Sequence, residues 1–311
     1  MVWFRKLLNH LKTLCELPRI LVLNLCTLDV EIDNIKLGLG RVLLNNNRSF
    51  NSHNLNDYEF KIFSQWGEDG IIQKLISSIE IKNKTFIEFG VEDFSESNCR
   101  FLMMNNLWRG FVVDSSRKNI ARLKMSHYYW KYDLTAIAEF LTCENINEVL
   151  DRSAFDPDVG LLSIDVDGND FHIFKAITKF RPRILVIEFN SVFGCELKIT
   201  VPYHKEFIRT AAHYSNLYFG ASLPAITTLA NEKGYALVGT NSSNCNAFYV
   251  RRELLVPTLT EVSPAQAFAP SHFRESRDRD GSLTFVSGSE RLNLIRGLPV
   301  LDIETRRIRE L

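Results

Sequence analysis

The sequence predicts an α/β fold: a mainly parallel seven-stranded sheet with helices on both faces, finished by an antiparallel hairpin and preceded by N-terminal helices. Three observations predict it. Short strand-like runs alternate with segments of helical periodicity, the pattern of strands joined by crossover helices. Several of those runs end in an acid or a glycine, at the positions that form the mouth of an open parallel sheet. Later, YALVG (Tyr235 to Gly239) and AFYVR (Ala247 to Arg251) flank a loop rich in Asn and Ser, which reads as a hairpin.

In chain order, residues 1 to about 45 read as helical. Leu28, Ile32, Ile35, Leu39 and Val42 recur at three- and four-residue steps as one apolar stripe, weakened by Gly38 and Gly40. The polar run Asn45 to Asn56 reads as a linker. Ile71, Ile72, Leu75, Ile76 and Ile79 mark a helix, and TFIEFG (Thr85 to Gly90) is the first strand. A helix around Asn98, Phe101, Leu102 and Met104 leads to the second, GFVVD (Gly110 to Asp114). A third strand is expected at Tyr128 to Tyr132, ending at Asp133, with a helix over Ala136 to Leu150. GLLSIDVD (Gly160 to Asp167) is the fourth strand, followed by a helix from Asp170 to Phe180 and a fifth strand, RILVIEFN (Arg183 to Asn190). A helix over Ala225 to Lys233 precedes the hairpin. After Pro257 the chain is rich in Arg and Ser, read as a small hairpin near Leu283 to Val286 and a partly ordered tail. These shifts suggest an N-terminal segment and linker (1–56), a central α/β domain (57–256) and a C-terminal extension (257–311).

The 37 basic and 37 acidic residues cancel, so no overall basic field for nucleic acid is expected. Six scattered cysteines without a CxxC read as reduced thiols in a cytoplasmic protein. The apolar run Ile20 to Leu28 is too short for a transmembrane helix, which needs about 20 apolar residues. Two roles stay open for the N-terminal helices: packing on a second subunit or the main domain, or peripheral contact with the inner face of a membrane.

The candidate chemistry gathers at strand ends. Glu88 ends the first strand, and Gly90 permits a tight turn that lets backbone amides approach a cofactor. Glu92 and Phe94 stand where a dinucleotide fingerprint has glycines, and Glu92 and Asp93 would repel a pyrophosphate. Asp114, ending the second strand, suits ribose hydroxyls, and Asp133, after the third, suits an adenine amine or a helix cap. Asp165 and Asp167 are two apart and share one face of an extended strand, while Asp170 suits an N-cap. With Glu188 and Asn190 on the next strand they offer oxygen ligands for magnesium or calcium, or a carboxylate pair sharing a proton as general base. His204 is a further candidate base, and Ser64, Gln65, Gly67, Glu68 and Asp69 either line the same pocket or start a helix.

The order SQWGEDGII, FIEFGVED with ESNCR, WRGFVVD, LLSIDVDGNDF with IFKAI, PRILVIEFN, and KGYALVG with NAFYVR resembles the FkbM-like group of class I S-adenosylmethionine-dependent methyltransferases found with bacterial polysaccharide genes. The resemblance covers Phe63 to Arg252. It implies a Rossmann-like sheet, S-adenosylmethionine near Glu88, Gly90 and Asp114, and methyl transfer to an oxygen on a sugar of a glycan or glycan precursor. It also implies magnesium held by Asp165, Asp167 and Glu188. The departure is at Glu92 and Phe94, which replace glycines usual in methyltransferases. Asp165, Asp167 or His204 would take the hydroxyl proton. The rivals are a metal enzyme of other sugar or phosphoryl chemistry, and a non-catalytic scaffold in glycan assembly. Expected partners are a glycan or sugar nucleotide and, through the N-terminal helices, a second copy of the chain.

Overall fold

The computed structural model describes residues 27–311. Most of the apolar run from Ile20, the N-terminal part of the expected helices, and Cys15 and Cys26 lie outside them. Seven strands form the main sheet: β1 (Thr85–Phe89), β2 (Arg109–Asp114), β3 (Leu134–Ala138), β4 (Leu161–Ile164), β5 (Ile184–Glu188), β7 (Tyr235–Thr240) and β8 (Asn246–Arg251). Their order is β3-β2-β1-β4-β5-β8-β7. β1 to β5 pair in parallel, and β8 runs antiparallel between β5 and β7. The order reverses between β1 and β4, which makes their carboxyl ends the crevice where a ligand has room. This is the mainly parallel, Rossmann-like sheet closed by an antiparallel hairpin that the sequence predicts.

Period-two alternation explains the layers. Phe86, Val112, Ile184, Val186, Phe248 and Val250 face one core. Ile87, Phe89, Phe111, Val113, Leu185, Ile187, Ala247 and Tyr249 face the other. The first core is covered by α1 (residues 27–47), α2 (Glu68–Ser78), α3 (Arg100–Asn106) and α4 (Arg117–Met125). The second is covered by α5 (Ile146–Asp151), α6 (Asp170–Ala176) and α8 (Leu223–Glu232).

Two elements differ from expectation. The third strand is Leu134–Ala138, not Tyr128 to Tyr132; those tyrosines lie in turns closed by Lys131 N–H to Tyr128 O, 3.0 Å. An aromatic run imitates a strand in sequence, but Tyr128 is buried beneath the Arg100 guanidinium, 4.1 Å from the ring centroid. The helix expected from Ala136 begins only at Ile146, because Ala136 and its neighbours complete the sheet edge and tertiary pairing overrides alanine's helical preference.

α1 docks on the domain, but not by its apolar stripe. Leu37 is buried, Asp33 is ion-paired with Arg100, and Gly40 lies so close to Phe101 that a Cβ would fall 2.5 Å from the ring. Residues 257–311 add α10 (Ser289–Ile295) and a hairpin of β9 (Pro299–Asp302) and β10 (Arg307–Glu310), and β9 pairs with β6 (Ile199–Thr200). The hairpin motif read near Leu283 is a single bridge from Arg277 to Leu283. Among the described residues no helix is long and apolar enough to cross a membrane.

Candidate active site

A cavity of about 360 Å³ opens at the carboxyl ends of β1, β2, β3 and β4. Its floor is the turn after β1. Gly90 has φ +73°, and a Cβ there would lie 1.5 Å from the Asp165 carbonyl oxygen, so only glycine lets the turns after β1 and β4 touch. Glu92 and Phe94 adopt the same left-handed region, at φ 47° and 64°. The chain thus keeps a glycine-shaped turn without the glycines. Left-handed backbone costs roughly 1–2 kcal/mol for an ordinary residue, and full burial of the Phe94 ring offsets it.

Two acids build this turn from within. Glu88 is buried, and its carboxylate accepts from Ser97 Oγ (2.6 Å), Asn98 N (2.7 Å) and Cys99 N (3.3 Å). Burial outweighs these bonds and pushes its carboxyl up to about 7. It is an internal anchor of the loop and is not among the residues that line the cavity. Asp114 does line the cavity. Its two oxygens are held by Glu92 N–H (2.8 Å) and Ser116 N–H (2.7 Å), and burial raises its carboxyl above the usual range.

Asp133 is a correction. Because β3 begins at Leu134, Asp133 stands at the opposite edge of the sheet, exposed and paired with Arg109 at 2.7 Å. The position expected for it, after the third strand, is taken by Glu139, which lines the cavity with Phe140 and Leu141. The miss follows directly from the misplaced strand.

The acids after β4 and β5 do converge. One oxygen from each of Asp165, Asp167 and Glu188 lies within 4.8 Å of the others. Asp165 is raised well above the usual carboxylate range by burial and by the charges of Asp167 and Asp170. Glu188 is raised by burial and by Asp165. Its Oε2 is buried without a hydrogen-bond partner. Two adjoining buried carboxylates disfavour each other's ionised form, and the Arg209 charge offsets this only in part. Asp167 is exposed, with φ 55°, and is held by Arg209 Nη1 at 3.1 Å. Asp170 is fully buried and staples the turn, accepting from Val166 N–H (2.8 Å) and Gly168 N–H (2.9 Å). Asn190 is also structural: it donates to the carbonyls of Leu217 and Phe219.

His204 is a second correction. Its side chain is exposed and does not line the cavity, while its carbonyl accepts from Asn169 Nδ2 at 2.9 Å. The SQWGEDG segment is likewise outside the cavity. Asp69 Oδ2 gathers the amides of Ile62, Phe63 and Ser64, and Glu68 ties the start of α2 to Asn241 and Asn246.

Sequence reasoning missed Arg209, Phe207, Asn216 and Glu275. Arg209 stands on α7 (Arg209–Ala212), is largely buried over the Phe219 ring at 3.8 Å, and faces Asp167 and Glu275. No local pattern marks it. Glu275 reaches the cavity from the C-terminal extension.

Residues 110–218 match the model of the methyltransferase FkbM domain, a span from β2 to the segment held by Asn190. No curated protein matches the sequence. An O-methyltransferase family protein from Burkholderia thailandensis is similar in structure, with 10% identity and a TM-score of 0.37 over 60% of this chain and 58% of that one. An S-adenosylmethionine-dependent methyltransferase from Clostridium acetobutylicum is similar with 8% identity and a TM-score of 0.38, over 59% of this chain and 89% of that one. The chain thus spans less than two thirds of the first of these. The matched span, 109 of the 311 residues, holds β3 to β6 and with them Glu139, Asp165, Asp167 and Glu188, and over it the chain resembles the methyltransferase FkbM domain.

Proposed function

We propose that the chain transfers a methyl group from S-adenosylmethionine to a hydroxyl oxygen on a sugar of a glycan or glycan precursor. The observation that carries this reading is the charge of the cavity. Asp114, Glu139, Asp165, Asp167 and Glu275 line it against one cation, Arg209. That field repels phosphates and suits a ligand with a sulfonium, an ammonium and no phosphate. S-adenosylmethionine, when bound, supplies a methyl group on cationic sulfur. The turn at Gly90 would cradle it, Asp114 would accept its ribose hydroxyls, and Glu139 stands where an adenine amine would need an acceptor.

Asp165 is the base of this reading. It lines the cavity and adjoins Glu188, which does not; with a proton resting on Glu188, Asp165 would be free to take the proton of an acceptor hydroxyl. Arg209 holds the surrounding charge in place. Phe207, Thr210, Asn216 and Glu275 add an apolar face and hydrogen-bonding groups, the chemistry a sugar needs. Four free cysteines among the described residues support a reducing, cytoplasmic setting.

A second reading rests on the unpartnered Glu188 Oε2. Three converging carboxylates suit a hard divalent cation such as magnesium by donor type, although Arg209 already neutralises Asp167. Calorimetric titration with S-adenosylmethionine, with and without magnesium, separates the readings. Cofactor binding without metal supports the first. Magnesium binding alone, lost in Asp165→Ala, supports a metal enzyme of other chemistry, and binding of neither supports a scaffold.

A further inference from the structure

We infer that the exposed face of α1 is a self-association surface, and that a second copy of this chain packs on it as a short two-helix coiled coil. The stripe Leu28, Ile32, Ile35, Leu39 and Val42 is spaced 4-3-4-3, the a/d repeat of a coiled coil. Every member faces outward, at 53%, 41%, 70%, 52% and 56% exposure. The face that docks α1 on the domain is the opposite one. Asp33, Leu37 and Gly40 occupy the b and f positions of the same repeat, with Leu44 continuing the line half-buried. Among the described residues, the domain therefore leaves the seam exposed.

An amphipathic helix normally turns its apolar stripe inward. Here the inward face includes an ion-paired aspartate and a glycine, and the outward face holds β-branched and leucine side chains. The flanking charges favour a second copy over a lipid surface. Asp29 and Lys36 fall at e positions and Glu31 at g. The Lys36 ammonium rests 5.3 Å from the Phe63 ring centroid of its own domain. Released from that cation–π contact, it would meet Glu31 of the other helix in a parallel pair and Asp29 in an antiparallel pair. Either orientation brings opposite charges together. A lipid-binding helix would instead carry Lys and Arg along both borders, whereas Asp29 and Glu31 are exposed acids. In sequence, Leu21 and Leu25 continue the same register upstream. The domain already holds α1 helical, so association does not have to nucleate a helix, the main cost for a segment this short.

The test is the mass of the full chain by light scattering at micromolar concentration, with Ile35→Asp and the exposed c-position control Asn34→Lys. The inference expects twice 35.8 kDa for the unmodified chain and for the control, and 35.8 kDa for Ile35→Asp. The melting temperature of Ile35→Asp at high dilution should match that of the diluted unmodified chain, because Ile35 supports no core of the monomer. A monomeric unmodified chain overturns the inference, and so does a dimer that survives Ile35→Asp. Sedimentation with vesicles containing 30% phosphatidylserine decides the lipid alternative: binding by a monomeric chain, abolished by Ile35→Asp, overturns self-association.

Discussion

The two edges of the main sheet carry the same residue type and treat it in opposite ways. At the amino edge Asp158 lies between Arg183 (2.6 Å) and Arg251 (2.5 Å). Burial pushes its carboxyl up, but the hydrogen bonds from both guanidiniums outweigh it and hold the group below its usual value. At the carboxyl edge Asp114, Asp165, Asp170 and Glu188 are all raised, and Arg209 is the cation placed among them. Paired acids hold a fold together. Under-paired acids hold a proton more readily than free ones do, which suits them to proton transfer. The difference marks the carboxyl edge as the place where the proposed chemistry would sit.

Substitutions should separate the two edges. The largest effect is expected from Asp165→Asn: turnover falls roughly 10²- to 10⁴-fold, the span of general base catalysis, while the melting temperature holds or rises because an under-paired charge is removed. A large loss of stability instead would make Asp165 structural. Asp158→Ala should do the reverse. It leaves Arg183 and Arg251 buried without a counter-charge and costs roughly 3–5 kcal/mol, with activity per folded molecule unchanged. Denaturant unfolding beside a turnover assay measures both.

Glu88 gives a smaller, pH-dependent effect. The folded chain keeps its proton up to about pH 7, whereas the unfolded chain loses it near 4.5. Between those limits the unfolded state binds fewer protons, so this group's contribution to stability shrinks as pH rises through the window. Glu88→Gln should flatten that slope in melts from pH 4.5 to 7.5; an unchanged slope would remove Glu88 from the account. The smallest effects belong to the two side chains outside the cavity. Asp133→Asn and His204→Ala should each change stability by less than about 0.5 kcal/mol, with turnover within two-fold. A His204→Ala enzyme without activity would put the base back where the sequence suggested.

What could be read from sequence was periodic or lay at a strand end. Apolar runs in GFVVD, GLLSIDVD and RILVIEFN located their strands, and Asp114, Asp165 and Glu188 followed as their tips. Where the period misled, the site residue failed with it: placing the third strand at Tyr128 to Tyr132 put Asp133 in the position that Glu139 holds. Arg209 and Glu275 were illegible because they reach the cavity from a four-residue helix and from the C-terminal extension, and long-range packing alone brings them there. The stripe on α1 shows a different limit. Its helical period was visible, but period does not say which side faces the domain. Close approach at Gly40 and the Asp33–Arg100 pair set that.

The most direct test of the central claim compares two acids of the carboxyl edge by calorimetric titration with S-adenosylhomocysteine. The unmodified chain should bind one equivalent without added metal. Asp114→Ala should weaken binding at least tenfold, about 1.4 kcal/mol, and Asp165→Asn should leave it within two-fold while abolishing turnover. No binding by the unmodified chain, or binding that Asp114→Ala leaves unchanged, would contradict the placement of the methyl donor.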